Sequence, residues 1–289
     1  MRRAAAVLIA IGALFVVATL LKGGPATPSD PADSAVVPPE ERERIHQFWE
    51  TYREATEHRV QERFPEAAQA YRQALALDPE HLDALYYLGN VEFDLGNLAA
   101  AERAWRRLIE LDPTSSRAHS QLGALYFCTG EERMLQPDRA AAEFQRAAAI
   151  NREETGPLLS LGEIALVRGQ LGDARSYFDA VIGSNYTSVE AHFYQGYLAW
   201  ISGAPARAAE LLAAAAALAR PAAAADAVAG EGDTRDGTAP MVRAPVRCGA
   251  LRSRVDVLVA LDDAVAGNAQ PVYQAFDESL RNIRRNLPQ

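Results

Sequence analysis

Two kinds of apolar pattern alternate along the chain. From Ala4 to Leu21 the sequence is uncharged and apolar all round, bounded by Arg2, Arg3 and Lys22. From residue 48 onward apolar positions recur at helical spacing. Leu82, Leu85, Leu88 and Val91, for example, fall on one face of a helix of ~3.6 residues per turn. Asp112-Pro113 stops the helix after that one, because proline cannot continue the hydrogen-bond ladder. Between the two patterns, residues 23–40 hold proline, small residues and acid. Such a composition buries too little apolar surface to offset ordering entropy and predicts a flexible stalk.

The helical pattern repeats. Leu-Gly or a near variant recurs at Leu88-Gly89, Leu122-Gly123, Leu161-Gly162 and Gln195-Gly196, with glycines 34, 39 and 34 residues apart. One period before Gly89 stands Ala55. Each of these positions is followed by a second block, a small residue, then an aromatic or leucine, then a small or aliphatic residue. The blocks are Ala67-Tyr71-Ala74, Ala101-Trp105-Leu108, Ala140-Phe144-Ala147, Ala174-Phe178-Val181 and Ala208-Leu212-Ala215. Further glycines fall at Gly96, Gly130, Gly169 and Gly203, where a left-handed helix cap costs glycine least; the first unit has Glu62 there. Pro79 and Pro113 close the first two units.

Period, order and offsets resemble the tetratricopeptide repeat, a helix–turn–helix unit. The resemblance covers residues 48–221, in units at about 48–81, 82–115, 116–153, 155–188 and 189–221. It implies an all-α fold: a right-handed superhelix of about five helix pairs, none with a core of its own, so that each stacks on the next. The third unit carries five extra residues around Thr129–Asp138, including Met134, Leu135 and Pro137, read as a surface excursion.

Residues 222–248 read as an Ala/Gly-rich linker, although Ala222–Ala225 can prolong the helix before it. Two amphipathic stretches follow within 249–289. Leu251, Val255, Leu258 and Leu261 share one face; Val272, Phe276, Leu280, Ile283 and Leu287 share another, with Gly267-Asn268 between. They predict a helical hairpin that caps the open end of the stack.

The amino-terminal run is 18 residues long, near the lower limit for a helix that spans a hydrocarbon core of ~30 Å. Arg2, Arg3 and the terminal amine precede it and Lys22 alone follows closely, which places the body outside the cytoplasm. Residues 1–22 therefore read as an inner-membrane anchor contacting lipid through 4–21, with a periplasmic body. A cleaved signal segment is the alternative, and it leads to the same export.

Composition sharpens this. Acidic residues outnumber basic ones, giving a net charge of −9. Setting aside Arg2, Arg3 and Lys22 leaves −12 on residues 23–289. So acidic a body is unsuited to nucleic acid or anionic lipid. Two cysteines exclude a four-cysteine zinc site; Cys128 and Cys248 are either bridged in an oxidising compartment or two free thiols. The histidines His46, His58, His81, His119 and His192 show no metal-ligand spacing, and no nucleophile elbow, phosphate loop or dinucleotide fingerprint is present. Neither a cofactor nor a catalytic site is expected.

The resemblance further implies that first helices line a concave groove at fixed repeat positions. On this chain those positions include Tyr86, Asn90, Phe93, Phe127, Phe193, Tyr197 and Trp200, an aromatic-rich surface suited to a peptide or helix. The two-carboxylate clamp of some relatives is missing, since Tyr86 stands where lysine is needed and Gly156 and Ser160 replace other basic positions. The sequence thus points to a membrane-tethered, exported scaffold or adaptor, with a role in assembling an envelope or membrane complex. A permanent structural subunit with a filled groove is the alternative.

Overall fold

The computed structural model describes residues 37–128, 135–229, 251, 269–285 and 287, with side chains to residue 219 in the longest of these stretches. The chain divides into two compact bodies, residues 1–42 and 43–289. Only residues 37–42 of the first are described; there the Arg42 amide donates to the Pro38 carbonyl at 3.0 Å. The 4–21 run lies outside the described residues, among which no helix is long and apolar enough to cross a membrane.

Eleven helices are found among the described residues, and no multi-residue strand. They are α1 (Pro39–Val60), α2 (Phe64–Leu77), α3 (Leu82–Asp94), α4 (Leu98–Leu111), α5 (Ser116–Tyr126), α6 (Pro137–Ile150), α7 (Gly156–Arg168), α8 (Leu171–Ser184), α9 (Val189–Ile201), α10 (Pro205–Ala229) and α11 (Gln270–Arg285). The body is a helical solenoid. From α2 to α10 each helix packs chiefly on its neighbours in sequence. The joint of α1 and α2 is made by Tyr71, which the Arg59 guanidinium reaches at 3.3 Å and the Tyr52 ring meets edge-on at 5.8 Å.

The two blocks found in the sequence meet within each pair. A methyl group on Gly123 would stand 2.8 Å from the Phe144 ring, and methyls on Gly89 and Gly162 would collide with Trp105 and Phe178. A missing side chain on the first helix therefore seats a ring from the second. Tyr71, Trp105, Phe144, Phe178 and Leu212 are all buried, and the Trp105 indole donates to the Tyr86 carbonyl at 3.3 Å. Leu82 departs from the face assigned to it. It is 39% exposed at the first position of α3, whose buried residues begin at Ala84 and Leu85.

The turn inside a pair is the same four times. Gly96, Gly169 and Gly203 have φ of 76°, 75° and 79°, and Glu62 adopts 57° in the first pair. In each, the next amide donates back across the turn: Arg63 to His58, Asn97 to Glu92, Gln170 to Ala165 and Ala204 to Ala199, at 2.8–3.0 Å. This cap satisfies carbonyls that the helix end would otherwise leave orphaned.

The insertion in the third unit is not wholly superficial. Leu135 is buried and forms an isolated antiparallel bridge with Phe127, and the Gln136 amide donates to the Tyr126 carbonyl at 2.7 Å. Residues 129–134 lie outside the described residues.

The carboxyl end holds the largest difference from expectation. Of the predicted hairpin, residues 252–268 lie outside the described residues, and the helix that is described, α11, rests on α7 and α9. Its buried face (Val272, Tyr273, Phe276, Leu280 and Ile283) belongs to the same apolar cluster as the cores of the third, fourth and fifth pairs. An amphipathic pattern shows that a helix buries one face, without naming the surface that receives it.

Candidate protein-binding groove

First helices present repeat positions on a shared face, and the residues singled out from sequence fall into two groups there. Tyr86, Asn90 and Phe93 on α3 are half-buried. The Arg117 guanidinium, from α5, lies 4.6 Å over the Tyr86 ring, and its Nη2 also reaches Asp83 at 3.1 Å. Two charges and a ring thereby couple the second unit to the third at the one-repeat offset. Gln121 Nε2 donates to the Tyr86 hydroxyl at 3.4 Å. Phe93 stands 5.8 Å from the Trp105 ring. The amide oxygen of Asn90 is buried and has no hydrogen-bond partner, an acceptor without a donor.

The first unit continues this face with aromatic residues. Phe48, Trp49 and Tyr52 surround the His81 ring at 4.6, 5.6 and 5.2 Å between centroids, and Trp49 remains 54% exposed. Burial pushes the Tyr52 hydroxyl up to about 12, so it stays neutral and able to donate. The Asp94 carboxyl, at the end of α3, is raised above its ordinary range by desolvation and then by Glu62.

The remaining residues are covered. Phe127 is buried beside Leu135. Phe193 and Tyr197 lie beneath α11, with Phe276 ring centroids 5.2 and 4.8 Å away, and Trp200 is half-buried 6.4 Å from Tyr273. Polar ties accompany these rings. The Tyr197 hydroxyl donates to Asp277 at 2.7 Å, and Arg284 donates to the carbonyls of Leu166 (2.6 Å) and Val167 (3.2 Å). Burial, then the bond to Asp277, raises the Tyr197 hydroxyl well above its ordinary value.

Between these groups a cavity of about 270 Å³ opens between α5 and α7, lined in part by Ser120, Ala124, Phe127, Glu154 and Glu163. Glu163 is a buried carboxylate that accepts from the Tyr194 hydroxyl at 2.8 Å. Cys128, at the end of α5, is buried and disulfide-bonded; the other cysteine of the chain, Cys248, lies outside the described residues.

Sequence reasoning missed Tyr273 and Arg284. One signal for Tyr273 was present: the fifth unit has Leu212 where the four others have a large ring, yet keeps the facing Gly196. Among the described residues no group of three or more His, Cys, Asp or Glu could hold a metal ion. His119 is engaged by Glu143 at 2.6 Å and by the Pro113 carbonyl at 3.3 Å.

Among solved structures the fold is similar to that of PilW, a widely conserved type IV pilus biogenesis factor. The identity is 17%, the TM-score 0.54, and the match covers 81% of this chain and 92% of that one. It is similar also to PilF of Pseudomonas aeruginosa (16% identity, TM-score 0.51, 82% and 99% covered) and to MamA (23% identity, TM-score 0.52, 59% and 96% covered). At such identities the likeness is one of fold. The model of the tetratricopeptide repeat matches residues 52–127 and 159–227, together half of the sequence. Since the matched segments carry the ring-on-glycine joints of the second and fourth pairs, Trp105 on Gly89 and Phe178 on Gly162, this chain belongs to the tetratricopeptide repeat family.

Proposed function

We propose that the protein is an exported, membrane-tethered scaffold that binds a protein or peptide partner along the first-helix face of its first three units. The observation carrying this reading is the aromatic surface of the first helices: Tyr86 and Phe93 are half-buried on either side of Asn90, and Trp49, in the unit before, is 54% exposed. Such rings supply anchors whose large contact area costs little conformational entropy.

The tether is residues 4–21, and it raises the partner's effective concentration near the bilayer. The disulfide at Cys128 supports an oxidising compartment, as an exported body requires. Assembly of an envelope complex is the role proposed. Although a pilus biogenesis factor shares the fold, the proposal for this chain rests on its own tether and groove.

The test is a photo-cross-linking amino acid placed at position 90 or 93 of the full chain in native membranes. A protein adduct at both, lost on Tyr86→Ala, is expected. Absence of adducts there, with adducts elsewhere on the body, overturns the reading. A reporter that is active only outside the cytoplasm, fused after Gln289, tests export separately, and a stable but inactive fusion refutes it.

A further inference from the structure

The helix α11 sits where the family's groove positions of the fourth and fifth units lie, and its contacts have the character of a bound ligand. From α2 to α10 the largest packing joints are between neighbours in sequence; α11 instead reaches back to α9 and α7. It presents Tyr273, Phe276, Leu280 and Ile283 from one face, while Gln274, Glu278, Arg281 and Arg285 remain exposed on the other. Tyr273 and Phe276 enter among Phe193, Tyr197 and Trp200, at centroid distances of 4.8–6.4 Å. Asp277 takes the Tyr197 hydroxyl, and Arg284 takes carbonyls in the last turn of α7. Apolar anchors at i, i+3, i+7 and i+10 with flanking polar ties are how an amphipathic helix occupies a groove.

We propose that α11 is an intramolecular occupant of a helix-binding site on α7 and α9, and that a partner's amphipathic helix with the same anchor spacing binds there by displacing it. The proposal rests on the groove reading above and adds the form of the ligand. It divides the face into two parts: an open one on α1, α3 and α5, and one closed in cis until a competing helix arrives. Because residues 230–268 connect α11 to the repeats, the cis copy never leaves the neighbourhood, and the linkage gives it a high effective concentration. A free helix therefore sees an affinity reduced by the fraction of molecules in which the site is open.

The experiment uses the full chain and a fluorescent synthetic peptide of residues 269–287. Phe276→Ala/Leu280→Ala in the protein weakens the cis copy and leaves the receiving surface unaltered. The peptide is expected to bind this variant about tenfold or more tighter than the wild type, as the open fraction rises. Adding Gly196→Ala, which crowds the seat of the peptide's tyrosine, is expected to remove that binding. Arg284→Ala, which cuts only the ties to α7, provides a milder opening in case the double variant loses helicity. If amide exchange shows α11 released in either variant and the peptide binds no better than to wild type, the proposal is wrong. Cross-links at positions 90 and 93 do not involve α11, so the groove reading fails or stands on its own.

Discussion

Tyr273 of α11 occupies the surface of Gly196 in α9, and its hydroxyl donates to the Ala208 carbonyl at 3.4 Å. In the second, third and fourth pairs the ring on the glycine comes from the same pair; in the fifth, Leu212 is too short and a distant helix supplies it. Gly196→Ala drives a methyl group into the tyrosine hydroxyl. It should raise amide exchange across residues 270–285 while the first four pairs keep their protection. Gly172→Ala, at a helical position with nothing within 4 Å, should instead raise stability by about 0.5–1 kcal/mol. Uniform loss of protection in Gly196→Ala would contradict this assignment.

Glu62 holds a left-handed conformation, φ 57°, that its three counterparts fill with glycine. A side chain with a Cβ is strained there by roughly 1–2 kcal/mol, part of which glycine gives back through the freer unfolded chain. Glu62→Gly should therefore raise stability by about 0.5–1 kcal/mol in denaturant titration. An unchanged or lower midpoint would show that the turn bears no strain.

The raised carboxyl of Asp94 makes a pH-dependent difference. Its folded form holds the proton more firmly than the unfolded chain, whose ordinary value is 3.8. The favourable contribution is present below that value and lost as pH rises through the raised one; above it a desolvated charge faces Glu62. Asp94→Asn should be more stable than wild type at neutral pH, by less than ~1 kcal/mol because solvent screens the site. The two proteins should converge in acid. An advantage that persists below pH 3.8 would point to a cause other than this charge.

For Cys128 the expected outcome is that thiol titration of the denatured, unreduced protein finds no free thiol. Reduction should lower stability by about 2–4 kcal/mol. Full thiol reactivity before reduction would remove the support for an oxidising compartment.

Much of the stack was legible because its determinants are local. Gly89 and Trp105 are 16 residues apart, within one helix pair, and the offset recurs in Gly162 and Phe178. Gly96, Gly169 and Gly203 were legible as caps for the same reason. Of the candidate groove residues, only the repeat positions were legible, and their exposure was not. Tyr86, Asn90 and Phe93 remain on an accessible face, whereas Phe193 and Tyr197 have the same repeat positions and lie under Phe276. Nothing in the spacing of Phe193 encodes that cover, because the covering residue is separated from it by most of the fifth unit and the linker. Leu212 was the sole local hint, a void left for a ring from elsewhere.

The bridging position of α11 has a mechanical consequence. A repeat array bends and twists through small rotations between adjacent pairs, like a coiled spring. By gripping α7 through Arg284 and α9 through Phe276, α11 pins two adjacent coils at one pitch. The turns carrying Tyr86, Asn90 and Phe93 have no such brace among the described residues. Changes of pitch should therefore be smaller between α7 and α9 than between α1 and α3.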